Sequence, residues 1–393
     1  MTMTKSKPVV QEVTFKNTDL RKALNQVYGV CSERTTLPIT NFMCLKMDNG
    51  EATLSATDLE KAITVKVKVE GTDNFGVLLP KRATSKFFST KDNETAIVRD
   101  TGIKNGTTST WKEIERFGVG KIRIGSPSIN DWVPIPQPDD KLVWHTLDAG
   151  FLCKMFAIVV RACATEESRP VLTGLVCHDG AIAAADGFQL AVAESDKFAF
   201  GLGEREKDNH SSKGEVLIPG STITMVCRLF KGLNELEFAY NADKHQVWFR
   251  SEDITFVSQT VEGTFPQYQQ LIPKEFTSRL TFSSPVMADR LKLVDLGSIQ
   301  SGIMKIRVGQ DKEGNEICSI DAGNIEDTEY ALKVPGIGTG DETKIAFNNR
   351  YFFNAISPFS VCHMDTTNPS SPGKFTGDIE GLTLIVMPMY AQW

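Results

Sequence analysis

A strand–turn–strand–turn–strand pattern that occurs three times constrains this chain more than any other feature of its sequence. In the clearest copy, residues 172–194, an apolar run ends at His178, the pair Asp179-Gly180 follows, and a second apolar run leads to Asp186-Gly187 and a third run. An Asp-Gly pair between two apolar runs is typical of a tight hairpin, because both turn residues must accept positive φ. Each copy is therefore predicted to form three consecutive antiparallel strands.

The other two copies lie upstream and downstream at similar distances. The first, residues 37–69, has Asn49-Gly50 at its first turn and Asp58 at its second; the third has Glu313-Gly314-Asn315 and then Asp321. Three units of about 130 residues account for the whole chain, a period that fits repeated domains better than a solenoid. We predict domains at 1–138, 139–273 and 274–393, with the proline-rich stretch 134–138 at the first boundary.

Two short helices are expected in each unit, one before the three strands and one after them. Apolar spacing and capping residues predict helices over 17–31, 80–88, 148–164, 284–296 and 349–356, and a further helix that begins at Pro219. The predicted fold is therefore α+β, with three similar domains in which two helices pack on antiparallel sheets.

The charge of the chain is acidic overall but uneven. The net charge of −6 divides into +3 over residues 1–140, −5 over 141–273 and −4 over 274–393. No unit is a basic block, so binding to nucleic acid would depend on where individual cations lie. For any single helix a solvated outer face explains the cations best. Most of the predicted helices, however, carry cations off their apolar stripe although the protein is acidic.

Known catalytic and targeting patterns are missing from the sequence. No zinc-protease, P-loop, nucleophile-elbow or dinucleotide-binding motif occurs, and the five histidines are scattered. The eight cysteines show no C-x-x-C spacing and are interpreted as reduced thiols. We expect that the protein carries no signal peptide, and no apolar run of the sequence reaches the roughly 20 residues that a membrane-spanning helix needs. We expect a non-enzymatic cytoplasmic protein without metal, cofactor or membrane partner.

A set of short motifs resembles the bacterial DNA polymerase III beta subunit, the sliding clamp. The motifs run in order across all three units: L-P-I-T-N-F (37–42), A-T-D-L-E (56–60), R-P-V-L-T-G (169–174), A-A-D-G-F-Q-L-A (184–191), E-G-T-F-P-Q-Y (262–268), F-N-N-R-Y (347–351) and V-M-P-M (386–389). The resemblance implies the DNA-clamp fold and a head-to-tail homodimer. Two copies would close a ring of six domains around double-stranded DNA, with sequence-independent contacts to phosphates.

The resemblance also assigns roles to individual residues. Arg34 and Arg169 match family positions at or beside DNA contacts, and Ile122 and Ile124 align with an edge strand at the dimer interface, whose partner surface is the helix ending near Leu296. Together with the cations that lie off the apolar stripes, the DNA-facing set is predicted to be Arg21, Lys22, Arg34, Lys86, Lys154, Arg161, Arg169 and Arg290.

A pocket for the peptide motifs of partner proteins is the third feature that the resemblance implies. The matching positions are Leu172, Gly187, Phe188, Gln189, Leu190, Pro266, Gln270, Leu271, Asn348, Tyr351, Ile385, Met387, Pro388 and Met389. Phe188-Gln189 stand where the family often has His-Arg, and Gln270 replaces a frequent arginine. We therefore expect a weakly charged pocket and peptide binding that is nearly independent of salt. The tail 390–393 is expected to fold over the pocket through Trp393 and compete with peptide.

The function that follows from the resemblance is a processivity clamp that tethers a replicative DNA polymerase. The expected partners are duplex DNA, a second copy of the chain, the polymerase, a clamp loader and other proteins with clamp-binding motifs, in a nucleoid-associated cytoplasmic location. Three alternatives stay open: a specialised phage or plasmid clamp, a clamp-like scaffold that does not encircle DNA, and an enzyme whose site the sequence does not reveal.

Overall fold

The computed structural model describes residues 11–31, 37–71, 74–91, 94–104, 109–166, 168–203, 214–293, 302–310, 316–323 and 329–392. Three of the predicted functional residues, Arg34, Leu296 and Trp393, lie outside the described residues, as does the turn predicted at Glu313-Gly314-Asn315.

Helices and strands follow one another in an order that recurs three times. Repeat 1 contains β1 (Gln11–Lys16), α1 (Asn17–Val27), β2 (Phe42–Asp48), β3 (Glu51–Thr57), β4 (Lys61–Val67), β5 (Glu70–Gly71), β6 (Phe75–Pro80), α2 (Lys81–Phe87), β7 (Thr95–Lys104), β8 (Ser109–Arg116) and β9 (Gly120–Pro127). Repeat 2 contains β10 (His145–Asp148), α3 (Ala149–Val159), β11 (Gly174–His178), β12 (Ala181–Ala185), β13 (Gln189–Glu194), β14 (Glu215–Pro219), α4 (Gly220–Leu229), β15 (Glu235–Asn241), β16 (Gln246–Arg250) and β17 (Ile254–Gln259). Repeat 3 contains β18 (Ser278–Ser283), α5 (Ser284–Leu291), β19 (Ile303–Gln310), β20 (Glu316–Gly323), β21 (Glu329–Lys333), β22 (Gly336–Gly340), β23 (Thr343–Asn348), α6 (Asn349–Ile356), β24 (Val361–Thr366), β25 (Gly373–Gly377) and β26 (Leu382–Val386).

Each repeat is built around two groups of three strands. The strands predicted from the sequence form a central triplet, which is β2–β4, β11–β13 or β19–β21, and the last three strands of each repeat form a closing triplet, which is β7–β9, β15–β17 or β24–β26. The pairings within these triplets are antiparallel. The predicted α+β class, with two helices in each repeat, is confirmed.

The chain forms two compact units. Unit 1 comprises the described residues within Met1–Thr146 and Arg228–Gln259, and unit 2 those within Leu147–Cys227 and Thr260–Trp393. Sheet pairing crosses the predicted repeat boundaries: β17 of repeat 2 pairs with β4 of repeat 1 in unit 1, and β26 of repeat 3 pairs with β13 of repeat 2 in unit 2.

Four sheets result from these pairings. Unit 1 has a five-stranded sheet in the order β5-β1-β7-β8-β9 and most of an eight-stranded sheet in the order β10-β15-β16-β17-β4-β3-β2-β6, with β10 at the point where the chain leaves the unit. Unit 2 has a nine-stranded sheet in the order β14-β11-β12-β13-β26-β25-β24-β18-β22 and a four-stranded sheet in the order β21-β20-β19-β23.

The helices form where the apolar spacing predicts them, and some end earlier. In α1 the residues Leu20, Leu24 and Val27 are buried, which matches the predicted stripe. Asp148 caps α3, because its carboxylate accepts a hydrogen bond from the Phe151 amide at 2.8 Å. The sequence favours Asn17 or Thr18 as the cap of α1, but the helix already begins at Asn17, and the side chain of Lys16 before it makes no capping hydrogen bond.

The sequence pattern predicts a turn at Asp321 in its third copy, and this prediction is wrong. Asp321 lies within β20, where it is the register partner of Lys305 and Ala331. The second turn of the third copy is therefore not at Asp321, and residues 324–328, which follow β20, lie outside the described residues. None of the described helices is long and apolar enough to cross a membrane.

Candidate functional site

A cleft of about 720 Å³ in unit 2 is the first candidate site. Its walls are the short 3₁₀ turn and the loop that follow α3, the turn before β13, and the first turns of α6. Five of the residues predicted for the peptide pocket line it, namely Leu172, Gly187, Phe188, Gln189 and Tyr351. The cleft therefore combines residues of repeats 2 and 3.

An apolar cluster lies beneath the cleft. Leu172, Leu190 and Ile385 are all less than 7% exposed and belong to one buried group. A small adjoining cavity is lined by Leu190 and Ile385 together with Gln189 of the cleft wall. Burying a leucine or phenylalanine side chain of a ligand here would stabilise a complex by about 1.5–3 kcal/mol.

The turn before β13 is held by one carboxylate. Asp186 Oδ1 accepts hydrogen bonds from the amides of Phe188 and Gln189, at 2.8 and 2.9 Å, and Gly187 between them has a φ of +94°. The Gln189 side-chain amide donates to Asp186 Oδ2 at 2.9 Å and to the Arg161 carbonyl at 3.0 Å. Gln189 thus ties the turn to the end of α3, so its amide nitrogen already has two protein acceptors.

Two aromatic rings stand at the mouth of the cleft. Phe188 is 55% exposed, and its ring stacks on that of Tyr351 of α6. Burial raises the pKa of the Tyr351 hydroxyl, and the nearby Asp186 carboxylate raises it further while Arg350 opposes the shift. Tyr351 is therefore a neutral hydrogen-bonding group at physiological pH.

The cleft carries more positive charge than the sequence led us to expect. Arg161, Arg169 and Arg350 line it, against the carboxylates of Glu166 and Asp186. The three arginines come from segments other than the turn that carries Gln189, so the expectation of a weakly charged pocket does not describe this cleft, and the salt dependence of peptide binding stays a prediction. Arg161 was predicted to face DNA, but it lines this cleft, and its Nη1 donates to Ser357 Oγ at 3.0 Å.

The remaining predicted pocket residues lie around the cleft and do not line it. The Met387 amide donates to the Phe188 carbonyl at 2.8 Å, the Met389 amide donates to the Ala346 carbonyl at 2.7 Å, and Pro388 lies between them. Asn348 caps α6 by accepting from the Arg350 amide at 3.0 Å. Pro266, Gln270 and Leu271 are exposed. Tyr390 is 87% exposed, so it does not cover the cleft; the role of Trp393 stays a prediction.

Sequence reasoning missed part of the cleft wall. Glu166 and Asn354 line it, and neither belongs to a motif that had been singled out. Arg350 lies inside the motif F-N-N-R-Y but was not assigned a role. The signal that could have found it is its position directly before Tyr351 on the first turn of a helix.

Four of the eight predicted DNA-facing cations share one property. Lys22, Lys86, Lys154 and Arg290 are exposed, and none of the four forms an ion pair within the described parts of the chain. Arg21 is half-buried. Four unpaired cations on α1, α2, α3 and α5 leave their charge available to an external anion.

The predicted dimer residues lie on a strand with one unpaired edge. Ile122 is half-buried and Ile124 is 8% exposed on β9, whose one described neighbour in the sheet is β8. At one end of the four-stranded sheet, β21 has β20 as its one described neighbour. Both strands therefore present an edge of backbone hydrogen-bonding groups.

Comparison with known proteins identifies the family. The family description "DNA polymerase III beta subunit, N-terminal domain" matches residues 11–96, and "DNA polymerase III beta subunit, central domain" matches residues 146–267. The two matches together cover more than half of the 393 residues. The chain belongs to the DNA polymerase III beta subunit family.

Relatives and solved structures agree with this family assignment. The beta sliding clamp of Staphylococcus epidermidis is 24% identical over 373 residues, covering 88% of this chain and 90% of that protein, and the beta sliding clamp of Synechococcus elongatus is 24% identical over 393 residues, covering 96% and 99%. The crystal structure of the DNA polymerase sliding clamp from Bacillus subtilis has the same fold, with a TM-score of 0.83 over 97% of this chain and 100% of that one at 17% identity. The clamp fold is thus established for this beta subunit homologue, and its family function is that of a processivity clamp.

Proposed function

We propose that the chain is a ring-forming sliding clamp that encircles duplex DNA, tethers a replicative polymerase and catalyses no reaction itself. The observation that carries this proposal is the way in which the repeats pair. A closing triplet of one repeat pairs with the central triplet of the repeat before it, through β17 with β4 and through β26 with β13. Each of these junctions contains five register pairs.

Within the described residues, the same rule leaves one closing strand and one central strand without a partner of this kind. These are β9, the last strand of repeat 1, and β21, the third strand of the central triplet of repeat 3. If β9 of one copy pairs with β21 of another, the sheets β5-β1-β7-β8-β9 and β21-β20-β19-β23 join into one sheet. The two edges differ, so the contact is head-to-tail, and a head-to-tail contact closes into a ring when the rotation permits.

Two copies would bring six repeats to such a ring. The three repeats within each chain are proposed to correspond to domains at 1–138, 139–273 and 274–393, which the repeated element order supports. Because a dimer closes with two β9–β21 contacts, no edge of this kind would be left open. Leu296 would belong to the surface that meets β9.

Duplex DNA is the proposed occupant of the ring. The exposed Lys22, Lys86, Lys154 and Arg290, which form no ion pair within the described residues, lie on four helices, three of which (α1, α3 and α5) are the first helices of their repeats. Contacts from such cations to phosphates are independent of sequence. Arg21 and Arg34 complete the proposed set, whereas Arg161 and Arg169, which were also predicted to face DNA, line the cleft of unit 2 and are assigned to the peptide site.

The cleft beneath Phe188 and Tyr351 is the proposed site for peptide motifs of the polymerase, the clamp loader and other clamp-binding proteins. Its apolar floor of Leu172, Leu190 and Ile385 suits the apolar side chains of a short peptide. The three arginines at its wall suit acidic residues or a carboxyl terminus in the same peptide.

Primer extension on a long circular template, with a clamp loader and polymerase present, tests the proposed function. We expect long products when the chain is added and short products without it. A scaffold that does not encircle DNA would leave product length unchanged, and that result would overturn the proposal.

The role of the cations is tested by retention on nicked circular DNA. Reversing Lys22, Lys86 and Lys154 to glutamate is expected to shorten retention without changing the oligomeric state, since the three side chains are exposed. Each lost phosphate contact should reduce the slope of log K against log salt by about 0.9. An unchanged slope after three reversals would place these cations away from DNA.

A further inference from the structure

A second groove, in unit 1, is open where the equivalent place in unit 2 is filled. The groove has a volume of about 1010 Å³ and lies between α1, the β2–β3 turn and the end of β4. Its lining includes the buried side chains of Ala23, Ala52 and Val67 and the half-buried Val69. The groove is therefore an open space with small apolar side chains beneath it, of which Val69 keeps the most exposure.

In unit 2 a segment of the chain itself occupies the corresponding place. Phe198 and Phe200 are each 1% exposed, and the Phe198 ring lies 5.3 Å from the ring of Phe151 on α3. The Phe198 carbonyl accepts a hydrogen bond from the Gly180 amide, and the Gly180 carbonyl accepts one from the Ser195 amide, both at 2.9 Å. Residues 195–200 thus bind across the β11–β12 turn and the start of α3.

One repeated hydrogen bond establishes that the two places are equivalent. The Lys66 amide near the end of β4 donates to the Asp253 carbonyl at 2.8 Å, and the Glu194 amide at the end of β13 donates to the Gly381 carbonyl at 3.0 Å. Asp253 and Gly381 directly precede β17 and β26, the strands that pair with β4 and β13.

The length of one connection explains why the groove of unit 1 is open. Residues 195–214 connect β13 to β14, whereas 68–74 connect β4 to β6, and this shorter stretch also contains β5. The described residues of this shorter stretch, 68–71 and 74, include no aromatic side chain to take the place of Phe198 and Phe200.

We propose that the groove of unit 1 binds an extended segment of a partner protein that carries two aromatic residues separated by one residue, with an acidic residue before the first. In an extended chain, residues i and i+2 point to the same side, so two such rings can enter one groove, as Phe198 and Phe200 do in unit 2. Aromatic side chains supply the apolar area that the floor lacks.

The acidic residue follows from the charges at the groove. In unit 2, Lys197 precedes the first aromatic residue, and its Nζ lies 3.4 Å from Asp148 Oδ2 at the start of α3. The corresponding residue before α1 is Lys16, so the complementary charge on the incoming segment is negative. The other charged groups of the lining are Lys22, Lys66, Lys68, Asp19, Glu51 and Asp253, which leaves one positive charge in excess.

Peptides taken from the chain itself provide the probe. A fluorescent peptide Ser-Asp-Glu-Phe-Ala-Phe-Gly, which is the 195–201 sequence with the substitution K197E, is titrated with the full chain and followed by fluorescence anisotropy. We expect it to bind at least about tenfold more tightly than the same peptide with both phenylalanines replaced by alanine, a difference of about 1.4 kcal/mol. It should also bind more tightly than the unsubstituted peptide at low salt.

Two substitutions in the groove and one matched control locate the binding. Val69→Glu is expected to weaken binding of the glutamate peptide at least about tenfold. Lys68→Glu, at an exposed lysine of the groove lining, is expected to weaken it severalfold. Val143→Glu, at a 67% exposed valine of unit 1 outside the groove, should leave binding unchanged.

If the peptide does not bind, or if both groove variants bind it as the wild type does, the proposal is overturned. Tighter binding of the lysine peptide would overturn the assignment of an acidic residue. Because the measurement needs neither DNA nor polymerase, its outcome is separate from that of the proposed clamp function.

Discussion

The rings of Phe188 and Tyr351 stack in parallel at the mouth of the unit 2 cleft, with centroids 6.0 Å apart and planes inclined by 14°. Phe188 belongs to the turn before β13, whereas Tyr351 belongs to α6, so the pair joins repeats 2 and 3. The Phe188 carbonyl also accepts the hydrogen bond from the Met387 amide. The pair therefore positions the turn, the helix and the chain after β26 around one opening.

Replacing Phe188 by alanine is expected to weaken binding of a peptide that carries a leucine–phenylalanine pair. The substitution removes a half-exposed aromatic wall, so we expect a loss of about 1 kcal/mol, or roughly fivefold in Kd, at the low end of the range for an aromatic pair with partial burial. Fluorescence anisotropy with a labelled peptide measures the change. The matched control is Phe353→Ala. Phe353 is 42% exposed and lies on α6, the helix of Tyr351, but does not line the cleft. Equal effects of the two substitutions would show that the stacked pair is not part of the binding surface.

The arginines of the cleft predict that the affinity for peptide depends on salt concentration, which the sequence motif alone did not predict. Acidic residues of a peptide bound in the cleft would lie near Arg169 and Arg350, so we expect Kd to rise severalfold between low salt and about 0.15 M, where exposed charges are screened beyond about 8 Å. The double variant Arg169→Gln, Arg350→Gln should remove most of this dependence, whereas Lys274→Gln, at an exposed lysine of unit 2 outside the lining, should retain it. A wild-type Kd that does not change with salt would restore the original expectation of a weakly charged pocket.

The strands and helices could be predicted from the sequence because they depend on local patterns. Turn pairs such as Asp179-Gly180 fix hairpins within a few residues, and the apolar spacing of Leu20, Leu24 and Val27 fixes the buried face of α1. The pairing of β17 with β4 and of β26 with β13 could not be predicted from such patterns. It joins residues of different repeats, and no local rule in a single sequence selects which edge strands meet.

The charge of the cleft escaped prediction for a related reason. Arg161 was assigned to DNA because it lies seven residues from Lys154 along one predicted helical face. In the structure α3 ends at Val159, so Arg161 lies in a short 3₁₀ turn and points to Ser357. The end of a helix changes the direction of the side chains that follow it, and helix ends are the least certain part of a pattern-based prediction.

One cysteine is expected to react with alkylating agents before the others. The Cys227 thiol donates a hydrogen bond that lowers the pKa of the half-buried Cys153 thiol, whereas burial raises the pKa of Cys163 and of Cys318 to about 12. Since the thiolate is the reactive form, iodoacetamide at about pH 8 should modify Cys153 first. Peptide mass mapping over time measures the order. Cys227→Ala removes the donor and should slow the reaction of Cys153; faster or equal modification of Cys163, which is also half-buried, would contradict the assignment.

The cap of α3 predicts a pH dependence of local stability. The Phe151 amide, followed by Lys197, lowers the pKa of the Asp148 carboxyl below its usual value. The stabilising contribution of Asp148 is therefore complete above the unfolded-state pKa of about 4 and is lost as the pH falls through the lowered folded-state pKa. Asp148→Ala should cost about 1 kcal/mol near neutral pH, and the difference from the wild type should shrink below about pH 4. Hydrogen exchange of the Phe151 amide reports it directly, and a difference that stays constant down to pH 3 would mean that the carboxylate is not the cap.

The unpaired edge of β9 predicts that a charge at Ile124 prevents dimer formation. Ile124 is 8% exposed, and Ile122, two residues earlier on β9, is half-buried. The two side chains point to the same side of the sheet and lie next to the edge where a partner strand would pair. An unpaired arginine enclosed in an interface costs several kcal/mol, which is enough to shift a micromolar dimer to monomer. Sedimentation at micromolar concentration should give a dimer for the wild type and a monomer for Ile124→Arg. Ile124 is buried in the single chain as well, so Ile122→Arg provides a second variant that perturbs folding less.

Circular dichroism, together with peptide binding to the unit 2 cleft, tests whether each variant is folded. Ile103→Arg, at a 52% exposed isoleucine of β7 in the same sheet, should remain dimeric. A monomeric wild type, or dimers of both folded variants, would mean that β9 does not meet β21 of a second copy.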